Sequence, residues 1–380
     1  MMLYQILILL SLLVFLGILL LNLVDLPDLP SARSGTQPFV SILVPARNED
    51  EHIEACVSSL LAQEYDGFEV IVLDDHSTDS TWDTLQRLTA AGTGRRLRTG
   101  RSEPLPEGWH GKAWACHQLA AMARGELLLF TDADTVHRSE ALARAVAGLQ
   151  ESGAEMLSLT PAQEMHSFWE KLIVPLVYHI LMCYLPVRMV RGSRLPAFCY
   201  AIGQFILFRS EAYRKIGGHE SVRTNLVEDV WLCKKIKRAG GRVAAYNGTD
   251  AVSCRMYRDF RGIRDGFSKN LFAGFGYRTP VLFTLMGLLV MFYILPYGFL
   301  FSSLVSGKTL LLSGFWLPAA QIAVALFSRM IIAVKFRHPV SFVLLHVVSQ
   351  TFLLAIALNS FRQAKFGKGA VWKGRSYRFS

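Results

Sequence analysis

The chain of 380 residues is 52% hydrophobic, has a mean hydropathy of +0.30 and carries a net charge of +10. That is too apolar for a wholly water-soluble protein of this length and too charged for one buried wholly in lipid, so a mixed chain is expected. Its six cysteines, at 56, 116, 183, 199, 233 and 254, include no C-x-x-C pair, which leaves no sign of a zinc or dithiol framework and reads as reduced cytosolic thiols.

The apolar residues fall in blocks. Residues 3–24 are nearly free of charge, as are 281–305, 309–334 (interrupted only by Arg329) and 340–358. Each is long enough to cross a hydrocarbon core of roughly 30 Å, which takes about 20 helical residues. The first block lacks a basic n-region and a small-residue cleavage site, so it reads as an uncleaved anchor. A Pro- and Ser-containing stretch, 25–38, reads as a linker.

From there the grammar changes. The unbroken apolar run FVSILV (39–44) predicts a strand covered on both faces, and Ile53, Val57, Leu60 and Leu61 fall at helical spacing within 49–62. A second strand is predicted over 68–73, a helix through Trp82, Leu85 and Leu88, and another over 113–124. A strand over 127–131, a helix over 140–149 and a strand over 156–159 continue the alternation, which predicts an α/β domain with a mostly parallel sheet. Such sheets bind ligands beyond the carboxyl ends of their strands, where the polar clusters PARNE (45–49), Asp74–Asp75 and DAD (132–134) all stand.

Residues 167–191 are apolar and aromatic but broken by Pro175 and Pro186, which suits either a membrane-surface segment or a buried helix pair. FCYAIGQFILFR (198–209) reads as strand, and Leu226, Val230, Cys233 and Ile236 mark one face of a helix closed by Gly240–Gly241. The tail from 360 onward holds six Lys or Arg at 362, 365, 368, 373, 375 and 378 and no acid, which suits an anionic cytoplasmic membrane surface. No nucleic-acid recognition motif accompanies it, so nucleic acid is not expected as a partner. A cytoplasmic central domain and three full C-terminal spans would leave this tail outside, so one block is expected to be re-entrant or interfacial.

If strand geometry continued through Asp132 and Asp134, both carboxylates would share a face and repel unless a cation or a shared proton intervened. The pair fits a D-x-D site for Mg2+ or Mn2+ bound to a nucleotide diphosphate, a haloacid dehalogenase-type phosphatase in which Asp132 is the nucleophile, or an acidic turn without chemistry. Context separates them: the phosphatase motif usually opens its domain, whereas two strand–helix units precede this one.

Five motifs in order, SILVPARNEDEHIEACVSSLLAQEY, FEVIVLDDHSTDST, GWHGKAWACHQLA, LLLFTDADT and NLVEDVWLCKKIKRAG, together resemble the family 2 glycosyltransferases of GT-A fold. The resemblance implies a nucleotide-binding loop at Pro45, Ala46, Arg47 and Glu49, with the Arg47 plane able to stack on the base. It implies Asp75 as acceptor for a uracil N–H, Lys112 as a charge near the phosphates, Asp132 near ribose and metal, and Asp134 as metal ligand. Asp229 of the Glu228–Asp229 pair would be the general base of an inverting transfer. Arg261, Arg264 and Lys269 are diphosphate candidates, although Asp265 stands where processive members carry tryptophan, which argues against a polymer synthase.

An anchor on each side of the catalytic domain suits a lipid acceptor. The stretches PLPEGWHGKAWACHQLA and VWKGRSY look most like carotenoid glucosyltransferases of the hydroxychlorobactene and diaponeurosporenoate kinds, with hopanoid-associated, ceramide-type and polyprenyl-phosphate enzymes as alternatives. The expected organisation is an anchor (1–24), a linker (25–38), a cytoplasmic GT-A domain (39–257) with the surface segment 167–191, an amphipathic interfacial segment (258–280), C-terminal transmembrane hairpins (281–360) and a basic tail (361–380). The expected enzyme is a multi-pass cell-membrane protein that moves a hexose, glucose by resemblance, from a UDP-sugar to a carotenoid or other isoprenoid lipid.

Overall fold

Apolar runs without alternation become central strands because both faces of a parallel sheet are covered by helices. In the computed structural model, which describes residues 1–32, 37–91, 96–307, 309, 311–367, 370–372 and 375–377, FVSILV and FEVIVLD do so. Helix α1 (Met2–Asp25) opens the chain. It is followed by β1 (Val40–Ala46), α2 (Ile53–Leu61), β2 (Phe68–Asp74), α3 (Thr81–Ala90), β3 (Leu97–Arg101), α4 (Gly111–Met122), β4 (Leu127–Phe130), β5 (Thr135–His137), α5 (Ala141–Ser152) and β6 (Met156–Gln163). Then come α6 (Phe168–Ile173), α7 (Pro175–Tyr184), α8 (Val187–Gly192), β7 (Ile206–Arg209), α9 (Ser210–Lys215), α10 (Glu228–Arg238) and β8 (Val243–Cys254). Helices α11 (Phe260–Gly274), α12 (Thr279–Leu289), α13 (Leu295–Val305), α14 (Leu317–Lys335) and α15 (His346–Phe366) precede a short hairpin, β9 (Ala370–Trp372) and β10 (Arg375–Tyr377).

Two compact units result. One comprises 26–164 and 187–256, the other 1–25, 165–186 and 257–380. The first is built on an eight-stranded sheet of order β3-β2-β1-β4-β7-β6-β8-β5. Strands β3, β2, β1 and β4 run parallel, whereas β7 enters antiparallel between β4 and β6. The register pairs Ala46 with Asp74, so the loops after β1 and β2 leave the sheet side by side. Its core contains Ile42, Val44, Val57, Leu60, Val70 and Leu129, all buried. The 25–38 stretch is held where it is described: Asn247 of β8 donates its backbone N–H to Pro27 and its side-chain amide to Asp28. Residues 33–36 of that expected linker, and Lys368, Lys373 and Arg378 of the expected basic tail, lie outside the described residues.

The second unit is helical. Among the described residues four helical segments are long and apolar enough to cross a membrane: Met2–Asp25, Thr279–Val305, Leu312–Lys335 and Val340–Phe366. Side-chain amides tie the first of them to the third and to α7, since Gln321 donates to Gln5 and Asn22 donates to the carbonyls of Met182 and Leu185. Such polar contacts are how apolar helices find partners without a hydrophobic driving force. The segment 167–191 divides at Pro186: α6 and α7 pack with these helices, burying Leu172, Leu176 and Met182, and α8 belongs to the sheet unit. Pro175 opens α7 as its first residue, where a missing N–H costs nothing.

Candidate active site

The loops after β1 and β2 are laced together. Asp75 donates its N–H to the Ala46 carbonyl (2.7 Å), Thr78 N–H donates to Asn48 Oδ1 (2.8 Å) and Glu49 N–H donates to Thr81 Oγ1 (2.8 Å). Asn48 and His76 turn the two strand ends with positive φ, 51° and 54°, a conformation Asn adopts at little cost. Arg47 closes the pair, its Nη1 donating to the carbonyls of Asp75 (2.5 Å) and His76 (2.9 Å). The guanidinium thus clamps one loop to the other. Asp74 is fully buried and accepts from Ser77 N–H (3.3 Å), so it holds the turn, while Asp75 is 4% exposed at the strand end. Pro45 lines the cleft, and Glu49 is buried with Oε2 facing His52 Nδ1 at 3.4 Å.

Strand geometry does not continue through the D-x-D motif, contrary to the expectation that both carboxylates share a face. β4 ends at Phe130, and Asp132–Ala133–Asp134 form a turn into β5 with Ala133 packed in the core. Thr135 Oγ1 donates to the Asp132 carbonyl at 2.7 Å and fixes that turn. Both carboxylates remain within electrostatic reach of one neighbour, the Cys254 thiol. Asp132 faces the cleft. Asp134 lies beside the Cys254 thiol, which burial, then the negative charges of Asp134 and Asp132, hold well above its ordinary value. Cys254 therefore stays protonated, and Gln204 donates to its sulfur at 2.9 Å.

The centre of the site is Lys112. Placed in the first turn of α4, its ammonium lies 2.7 Å from Asp132 Oδ1 and 3.1 Å from Glu228 Oε1. Burial alone would weaken its proton affinity, but the two carboxylates outweigh burial and hold it well above the usual lysine range. The side chain keeps 38% of its exposure, so a charged solute can reach it. Glu228 and Asp229 open α10, whose N-terminus favours acids. Asp229 accepts from Val230 N–H (2.7 Å) and from Gly203 N–H (3.0 Å). Burial, then the neighbouring Glu228 charge, raise its carboxyl to about 6, with Lys112 pulling the other way. A carboxylate so placed can exchange a proton near neutrality.

Gly203 is where these groups meet. A Cβ there would stand 3.3 Å from Lys112 Nζ, 3.4 Å from Asp229 Oδ2 and 3.9 Å from Asp132 Oδ2. Only glycine leaves that corner open. The predicted strand over 198–209 is in fact strand only over Ile206–Arg209, because residues 199–205 form the loop that delivers Gly203. Gly203, Cys116 and His219, which also lines the cleft, were not singled out by sequence reasoning. His219 is pushed down to about 3 by burial and is therefore neutral, hydrogen-bonded through Nδ1 to Tyr213 Oη at 2.7 Å. No local signal in a single sequence marks it.

Arg261, Arg264 and Lys269 lie on α11 in the helical unit, and Asp265 pairs with Arg264 at 2.8 Å and with Arg261 at 4.0 Å. Among the described residues no group of three or more His, Cys, Asp or Glu is placed to hold a metal ion through protein donors alone.

Residues 41–217 match the family model described as glycosyl transferase family 2. The chain is similar to the 4,4'-diaponeurosporenoate glycosyltransferase of Staphylococcus aureus (strain USA300), 27% identical over 361 residues that cover 90% of this chain and 88% of that protein. It is also similar to the protein of that name from Staphylococcus haemolyticus, 25% identical over 347 residues, with 90% and 89% covered. In fold it resembles a mannosyltransferase from Pyrobaculum calidifontis, solved in complex with GDP-Man and Mn2+, with a TM-score of 0.57 at 19% identity over 94% of this chain and 98% of that one. These likenesses displace the phosphatase reading of Asp132. Residues 41–217 form a family 2 glycosyl transferase domain of GT-A fold, and the chain is a glycosyltransferase.

Proposed function

We propose that the protein is an inverting enzyme of the cell membrane that moves a hexose, glucose by resemblance, from a UDP-sugar to a lipid acceptor, a carotenoid or other isoprenoid. The observation that carries this reading is the Asp229 carboxylate, raised to about 6 and fixed by Gly203 N–H beside Lys112 and Asp132. The acceptor's hydroxyl or protonated carboxyl gives its proton to Asp229 as its oxygen bonds to the anomeric carbon. The bond from that carbon to the diphosphate breaks on the opposite face, and the diphosphate leaves with the electron pair. Lys112, already a counter-ion among carboxylates, meets the diphosphate's charge. Asp75 accepts from the uracil ring, and the clamped loops of Pro45, Ala46, Arg47 and Glu49 hold the nucleoside.

Asp134 and Asp132 supply hard oxygen donors for Mg2+ or Mn2+, and the Asp132 carboxylate already accommodates a cation in the form of the Lys112 ammonium. When bound, the ion offsets negative charge on the departing diphosphate. Arg261, Arg264 and Lys269 are further candidates for diphosphate contact.

The lipid acceptor is supported by the curated relatives' names and by four apolar helices that flank the catalytic domain. Those helices form a multi-pass anchor with the catalytic domain in the cytoplasm. The test is incubation of membranes containing the protein with labelled UDP-glucose and, in parallel, GDP-mannose, followed by mass identification of labelled lipid. Label from UDP-glucose in a carotenoid or isoprenoid supports the reading, and label only from GDP-mannose, or only in water-soluble product, overturns it.

A further inference from the structure

The helical unit holds a second polar cluster, remote in composition from the first. Arg329, the one charged residue in the 309–334 block, points inward: it is 2% exposed although it lies about 9 Å, six residues at 1.5 Å each, from the end of α14. Its Nη1 donates to the Pro175 carbonyl at 3.0 Å, and its Nε has no hydrogen-bond partner. Three histidines lie within its electrostatic reach: His179 on α7, His338 after α14 and His346 at the start of α15. The rings of His179 and His346 are 5.0 Å apart. His179 Nε2 bonds to Tyr293 Oη at 3.1 Å. His346 Nδ1 and both ring nitrogens of His338 have no partner, and the two side chains are only 1% and 5% exposed.

A guanidinium does not give up its proton, so this charge needs an anion. The chain does not provide one among the described residues. No Asp or Glu occurs after Asp265, and the helical unit's acids are Asp25, at the end of α1, Glu170, which caps α6, Asp259, which caps α11, and Asp265, which pairs with Arg264. An uncompensated buried charge is costly, and an ionisable side chain inside an apolar helix bundle marks a functional site. We propose that Arg329, His179, His338 and His346 form a buried site for the anionic group, carboxylate or phosphate, of a membrane lipid. A planar guanidinium with an open Nε, and imidazoles within its electrostatic reach, suits two or three anionic oxygens. The apolar helices around it suit a hydrocarbon chain. This assignment rests on the reading of these helices as membrane-embedded, which carbonate extraction of membranes checks separately.

The test uses the full chain, purified and delipidated in dodecyl maltoside, with thermal unfolding and native mass spectrometry as readouts. Oleate, dioleoyl phosphatidate and neutral methyl oleate are added at about 0.3 M salt, where exposed basic residues are screened. One or both anionic lipids should raise Tm by roughly 5 °C and remain bound in the mass spectrum, and methyl oleate should do neither. Response to oleate alone assigns a carboxylate, and response to phosphatidate alone assigns a phosphate. Arg329→Gln should abolish the shift. Should that variant fail to fold, His346→Gln and His338→Gln, which leave the cation in place, should each reduce the shift by at least half. Equal responses to all three lipids, or an unchanged shift in the folded variants, would overturn the site.

Discussion

Two of the places where the molecule buries charge do so by opposite means. In the sheet unit the Lys112 ammonium sits among Asp132, Glu228 and Asp229, so each charge has an answer, and the sum, three acids against one base, leaves room for a further cation. In the helical unit Arg329 has a carbonyl partner and three imidazoles within electrostatic reach, but no acid paired with it among the described residues. The comparison teaches that a polar cluster's net charge indicates what it is missing. An acid-rich cleft at strand ends calls for a cation and a diphosphate, and a lone guanidinium between apolar helices calls for an anion.

The largest effect that sharpens this contrast is on donor binding. Asp134→Asn removes the negative charge of a hard-oxygen donor, and metal-dependent UDP binding, measured by calorimetry with and without Mn2+, should be lost; unchanged binding would remove Asp134 as a ligand. Next in size is Gly203→Ala. Its Cβ would stand 3.3 Å from Lys112 Nζ and 3.4 Å from Asp229 Oδ2, so the ammonium must yield by a few tenths of an ångström, and turnover should fall about tenfold with little change in Tm.

Lys112→Met turns the acid-rich site into an uncompensated cluster like that of Arg329. Asp229 must be deprotonated to act as base, so the wild-type rate should rise with pH through about 6. Lys112 lowers the Asp229 pKa and Glu228 raises it, so the inflection should move up in Lys112→Met and down in Glu228→Gln. Equal profiles in all three would sever Asp229 from the cluster. The same Lys112 variant should lower Tm by a few degrees, since a half-exposed ion pair contributes about 1 kcal/mol or less. Arg329→Met, measured without anionic lipid, should not lower it. The smallest change is expected from Arg47→Ala. Losing the clamp to the Asp75 and His76 carbonyls should raise the donor KM several-fold with kcat nearly unchanged.

Much of this architecture was legible because burial on both faces leaves a simple trace. FVSILV and FEVIVLD could hardly be anything but central strands, and the apolar blocks at both ends announced their helices. Edge elements left weaker traces: β3 (LRTGR) is short, polar and only partly buried, so nothing in its composition distinguishes it from a loop. The period-two rule misled at 132–134, because a turn anchored by Thr135 replaces the strand, and the strand reading failed at 198–205, where an apolar run folds as a loop around Gly203. Asp229 and Lys112 were legible through the motif order that carries the family resemblance. Their meeting was not, since it depends on β7 inserting antiparallel between β4 and β6, a long-range event with no local signature.

The most direct test of the central claim, that Asp229 takes the acceptor's proton in sugar transfer, is a single-turnover measurement on Asp229→Asn with UDP-sugar prebound and lipid acceptor added. The account predicts donor affinity within about twofold of wild type and a transfer rate reduced by roughly 10²–10⁴-fold. Transfer at near the wild-type rate with the donor bound would contradict it.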